Sequence, residues 1–119
     1  MRVLFVENHD VFAATVVEKF LADHDVTVVP SVSAAKTELE KGTYDVALVD
    51  YDLDDDKGDE FVRALRAAGS RILIVAVSSH ANGNDALMCA GADAVCRKMD
   101  FASISRVLED LLANARRPA

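Results

Sequence analysis

The chain has 119 residues, 51% hydrophobic and 28% charged, enough for one domain with its own core and no need of disulfide or metal staples. Its net charge of -7 argues against the basic face that a nucleic-acid backbone requires, and its longest apolar run, Ile72 to Val77, is far too short to cross a bilayer. No charged-then-apolar signal segment opens it, so no membrane partner and a cytoplasmic location are expected.

Short apolar runs alternate with helical patterns along the chain. Val3–Val6 reads as the first strand, and Val11–Ala22 follows with Phe12, Val16, Phe20 and Leu21 at helical spacing. Val26–Val29 is the second strand; Ser33–Lys41 is a helix opened by a serine and stopped by Gly42. Val46–Val49 comes third, then Asp59–Ala68 with Phe61, Val62 and Leu65, ending at Gly69. Ile72–Val77 is the fourth strand, followed by a short helix Asn84–Ala90 that stops at Gly91. Ala94–Cys96 and Ser103–Ala115 complete the series, the last helix carrying Ile104, Val107, Leu108, Leu111 and Leu112 on one stripe. The first four runs are rich in β-branched residues and read as strands buried on both faces. Strict alternation predicts an α/β fold with a five-stranded parallel sheet and helices on both faces, as one domain over residues 1–119 with a fraying polar tail at 114–119.

Ligands of such sheets bind beyond the carboxyl ends of the strands, so the residues there carry the chemistry. They are Glu7 and Asn8 after the first strand, Asp50 after the third, Ser78 after the fourth and Lys98 after the fifth. Oxygen donors of this kind suit Mg2+, which takes one or two carboxylates and keeps several waters. A carboxylate beside such an ion, a hydroxyl and a lysine is placed to accept a phosphoryl group, with metal and amine neutralising the charge that develops. Asp50 also opens a dense run of acids, Asp52, Asp54, Asp55, Asp56, Asp59 and Glu60, whose mutual repulsion needs a cation, a task or solvent to offset it. Asp54, Asp55 and Asp56 read as solvated loop rather than ligands. Asn8 has two readings that do not exclude each other: metal contact, or a cap on the helix that begins near Asp10. Cys89 and Cys96 have no metal-ligand spacing and read as two buried free thiols. His9, His24 and His80 are scattered and read as surface or loop residues, so no zinc site is expected.

Taken together, these stretches resemble the receiver domains of two-component response regulators. "RVLFVEN" resembles the first strand and acidic pair, and "VALVDYDLDDDKG" the phosphoacceptor strand and loop, with Gly58 opening the next helix. "ILIVAVSS" resembles the strand ending in a hydroxyl, and "AGADAVCRK" the run up to the lysine. The resemblance implies a CheY-like, flavodoxin-like (βα)5 fold with strand order 2-1-3-4-5. It implies a phosphorylation-controlled switch rather than an enzyme: a histidine kinase or phosphotransfer protein donates a phosphoryl group to Asp50. Mg2+ is then held by Glu7, Asn8, Asp50 and the main-chain carbonyl of Asp52, Ser78 and Lys98 bind the phosphoryl oxygens, and a downstream protein reads the reshaped face around the fourth helix and fifth strand.

Several residues depart from that pattern. Asn8 stands where an aspartate usually binds the metal, so a weaker metal site is expected. Asp54 and Met99 stand where prolines are frequent, and without a proline the bond after Lys98 should be trans. Val95 takes the place of the switch aromatic. The segment between Lys98 and Ile104 is about one residue short for a regular helix start, which makes Arg97 a rival for the lysine role. These departures leave open a pseudo-receiver, a binding module that signals without phosphorylation. A third reading takes "DYDLD", Asp50–Asp54, as the DxD nucleophile motif of haloacid-dehalogenase phosphatases, although that motif belongs near the start of a longer chain. No output domain follows the fifth helix in this sequence, so it is read either as a stand-alone regulator or as a piece of a larger one.

Overall fold

The computed structural model describes residues 1–115. Five parallel strands, β1 (Arg2–Val6), β2 (Asp25–Val29), β3 (Val46–Val49), β4 (Leu73–Ala76) and β5 (Ala94–Val95), lie in the order β2-β1-β3-β4-β5. Five α-helices connect and follow them: α1 (Asp10–Phe20), α2 (Val32–Lys41), α3 (Gly58–Ala67), α4 (Ala81–Ala90) and α5 (Ile104–Ala115). The expected flavodoxin-like fold is therefore the observed one.

The period of two along a strand sorts the core into two layers. Val3, Phe5, Val46, Leu48, Val75 and Val77 point to one face, where Ala13 and Val16 of α1 and Ile104 and Leu108 of α5 cover them. Leu4, Val6, Ala47, Val49, Ile74 and Ala76 point to the other, beneath Val32 and Ala35 of α2, Phe61 and Val62 of α3 and Leu87 of α4. Being covered on both faces explains why β3 reads as an unbroken apolar run, with every residue buried. β2 corrects the expectation of burial on both faces. It is the sheet edge, and Val28 is 40% exposed.

Other departures from the sequence reading have local causes. The serine that opens α2 is Ser31, whose hydroxyl accepts from the Ala34 N–H at 3.1 Å; Ser33 lies inside the helix. α4 starts at Ala81, three residues earlier than Asn84. The short connection after β5 is absorbed by a 3-10 segment, Lys98–Ser103, kinked at Asp100 (φ -108°, ψ 22°), which tucks Phe101 into the core. All peptide bonds of the described residues are trans, that after Lys98 included. Cys96 is buried but Cys89 is exposed on α4, where no strand or helix covers it. Asn114 and Ala115 continue α5 instead of fraying, and residues 116–119 lie outside the described residues. No helix among the described residues is long and apolar enough to cross a membrane.

Candidate functional site

Strand order reverses at β1 and β3, and the carboxyl ends of these neighbours form the floor of the site. Two ladder hydrogen bonds set its geometry: Glu7 N–H to Val29 O at 2.9 Å, and Asp50 N–H to Val6 O at 3.0 Å. Glu7 is thereby fully buried and Asp50 only 4% exposed, side by side. Lys98, at the start of the 3-10 segment, reaches between them. Its Nζ lies 3.1 Å from Asp50 Oδ2, as a hydrogen bond, and 2.7 Å from Glu7 Oε1, out of line for a hydrogen bond but a close ion pair. The Tyr51 N–H donates to Asp50 Oδ1 at 2.8 Å.

Two buried carboxylates facing one ammonium leave an uncompensated negative charge in a poorly hydrated place. Burial first, and then the Glu7 charge, push the Asp50 carboxyl up from its ordinary value of 3.8 to about 6, against the pull of Lys98 and the Tyr51 N–H.

The phenylalanines under the pocket hold the lysine in place. Phe101 stacks on Phe5 at 5.8 Å and meets Phe12 edge-on at 5.7 Å, while Lys98 Nζ sits 5.0 Å above the Phe12 ring. Arg97 turns outward and pairs with Asp100 at 2.6 Å, so the lysine position in the pocket is taken by Lys98 alone of the two.

The other strand-end residues are placed as follows. Ser78 is buried after β4, its Oγ accepting from the His80 N–H at 3.1 Å. Asn84 clamps it: the Ser78 N–H donates to Asn84 Oδ1 at 2.9 Å, and Asn84 Nδ2 donates to Ser78 O at 3.0 Å. Gly83 is required beside them, because a Cβ there would lie 2.7 Å from Ser78 Oγ. Gly58 is required for the same kind of reason, since a Cβ would fall 1.9 Å from the Asp50 carbonyl oxygen. Asn8 does not cap α1. His9 holds the N-cap position, and Asn8 Nδ2 donates instead to Asp54 Oδ1 at 3.3 Å, leaving Asn8 Oδ1 buried with no hydrogen-bond partner among the described residues. The Asp52 carboxylate pairs with Lys57 and is not among the clustered ligand atoms, which leaves its main-chain carbonyl as the candidate ligand.

The acidic run divides its work. Asp55 accepts from the Val32 and Ser33 N–H groups at 2.8 and 3.0 Å and so closes the N-terminus of α2 from outside, a role the sequence reading of a solvated loop missed. Asp56 accepts from the Lys57 N–H. Two further residues escaped that reading: Asn84, and His9, whose Nδ1 lies 3.2 Å from Glu7 Oε2. A histidine two residues past a buried acid was the available signal for the latter.

The sequence matches the family model described as response regulator receiver domain over residues 3–104. The chain belongs to that family. Receiver domains are the signalling modules of two-component systems, and accepting a phosphoryl group and binding Mg2+ are general to them. Solved structures similar to this receiver domain include a CheY-like receiver from Methanospirillum hungatei JF-1, with 18% identity, 95% of this chain and 94% of that one covered, and a TM-score of 0.83. A CheY-like receiver from Methylobacillus flagellatus has 26% identity over 93% and 98%, with a TM-score of 0.78. The response regulator TrrA from Thermotoga maritima, described in complex with Mg2+ and BeF, has 17% identity over 92% and 97%, with a TM-score of 0.82. Among curated protein sequences none matches.

The donors of this receiver domain fit a hard divalent cation. Glu7 and Asp50 supply two buried carboxylates whose charge Lys98 only half offsets, and the orphaned Asn8 Oδ1 adds an uncharged oxygen.

Proposed function

We propose that this receiver domain accepts a phosphoryl group on Asp50 from a histidine kinase or a phosphotransfer protein, and that the modified domain is read by a downstream protein. The observation that carries this reading is the Lys98 ammonium between Glu7 and Asp50 at the carboxyl end of the sheet. Asp50 attacks phosphorus with a carboxylate oxygen as the bond from phosphorus to the donor's imidazole nitrogen breaks, and that nitrogen keeps the electron pair. The attack needs an ionised carboxylate, which the Lys98 ammonium and the Tyr51 N–H favour. Glu7, Asn8, Asp50 and the Asp52 carbonyl would hold a Mg2+ ion, which would supply charge neutralisation for the transferred oxygens.

Lys98 then exchanges a carboxylate for a phosphoryl oxygen, and the Ser78 hydroxyl turns from the His80 N–H to another. Because His80 is the N-cap of α4, that exchange shifts the start of α4 and with it the face around β5.

Incubation with acetyl phosphate and Mg2+ should add phosphoryl mass to the peptide containing Asp50 and none to an Asp50→Asn variant. Mass that persists in that variant would sink the assignment. Val95, 38% exposed where a switch aromatic is usual, favours a second reading as a phosphorylation-independent binding module. Amide signals around Ser78 and Ala81 unmoved by saturating beryllium fluoride would select it.

A further inference from the structure

The ring of His9 belongs to the same cluster as the two buried acids. One ligand atom each from Glu7, His9 and Asp50 lie within 4.8 Å of one another. His9 Nδ1 is 3.2 Å from Glu7 Oε2 and 3.4 Å from Lys98 Nζ, the ammonium that also contacts Glu7 and Asp50. The turn into α1 sets this up: the His9 N–H donates to Glu7 Oε2, which folds the imidazole back over the carboxylate two residues earlier. Ligands bonded at about 2.1 Å stand roughly 3.0 Å apart at cis positions of an octahedron and roughly 3.4 Å apart in a tetrahedron. The Glu7–His9 spacing lies between these values.

We infer that His9 is a direct ligand of the divalent ion in this pocket, and that it gives the pocket a preference for transition ions over Mg2+. The inference rests on the cation site of the proposed function and concerns which ion fills it. Mg2+ favours carboxylate, carbonyl and water oxygens and gains little from imidazole, whereas Co2+, Ni2+ and Zn2+ bind imidazole well. Asn8 pushes in the same direction, because replacing a carboxylate with an amide weakens the attraction for a hard ion without removing the nitrogen ligand. Glu7 and Asp50 carry two negative charges of which Lys98 offsets one, so the pocket keeps a net negative charge that attracts a divalent ion. His9 is exposed, with 67% of its side chain open to solvent, so the ring can turn onto an ion without repacking the core.

Calorimetric titration with Co2+ and with Mg2+, on the wild type and on His9→Ala and His9→Asp, tests this. Thermal unfolding should first show that all three are folded. The wild type should bind Co2+ at least about tenfold more tightly than Mg2+, and His9→Ala should lower that ratio by about tenfold. His9→Asp should lower the ratio further by strengthening Mg2+ binding. The Co2+ form of the wild type should also show paramagnetically shifted imidazole ring protons, absent in both variants. If both ions bind and neither the ratio nor those signals depend on residue 9, the inference fails and the Mg2+ pocket stands. If neither ion binds the wild type, both fail together.

Discussion

Asp50 is held at odds with its own charge. Its carboxyl titrates at about 6 in the fold against an ordinary 3.8, with burial the largest cause. Between these values the folded chain keeps a proton that the unfolded chain has released, so stability falls as pH rises through that window and stays reduced above it. Asp50→Asn keeps the shape and removes the charge. In metal-free buffer at pH 7.5 it should therefore be more stable than the wild type by roughly 1–3 kcal/mol, the Lys98 contact being already counted in that shift. The gain should shrink as pH falls below about 6 and vanish only below 3.8, where the carboxyl is protonated in both states. Urea unfolding of both proteins at pH 7.5 and 4.5 checks it; a destabilised variant at pH 7.5 would mean the Lys98 pair outweighs burial. Glu7 and Asp50 were legible because a charged residue directly after a buried strand has few places to go; Lys98, two residues past Cys96, was legible only with Arg97 as its rival. His9 was offered only by its place two residues past Glu7, a spacing that becomes a contact through the backbone turn into α1.

The elements were legible in type and order, and misread where tertiary contacts set their ends. α4 begins among Asn82, Gly83 and Asn84, poor helix formers that invite a late start. Both of the last two are there for Ser78: Gly83 gives its hydroxyl room, and Asn84 makes two buried hydrogen bonds to its main chain. That contact overrides propensity. Asn84→Ala orphans the Ser78 N–H and C=O and should cost about 1–3 kcal/mol in denaturant unfolding. Asn84→Asp should cost more at neutral pH, because it turns a donor toward the Ser78 carbonyl into a buried negative charge. Equal losses in the two variants would show that the side chain only fills space. The 3-10 segment was visible only as a missing residue before Ile104. Its kink at Asp100 lets Phe101 enter the stack with Phe5 and Phe12, and that packing sets where Lys98 begins.

At the scale of the whole molecule the topology follows from alternation, and the site from topology: placing β1 between β2 and β3 brings Glu7 and Asp50 to neighbouring strand ends. Pairing of residues so far apart in sequence also couples the site to global folding, so an ion that binds only the folded chain stabilises all of it. Mg2+ at about a hundred times its dissociation constant would add roughly 2.7 kcal/mol. The net charge of -7 concentrates cations at the surface, so the effect should weaken as added salt screens it. Asn8→Asp places a third carboxylate beside Glu7 and Asp50. Without metal it should melt below the wild type, because the three repel. With metal, the added attraction, on the order of a kcal/mol or more at an effective dielectric near 20, should tighten binding about tenfold. The two melting curves plotted against Mg2+ concentration should therefore cross. Thermal melts at two fixed ionic strengths test this, with the crossing moving to higher Mg2+ as salt rises. Parallel curves would mean that residue 8 makes no contact with the ion and that its amide serves only Asp54.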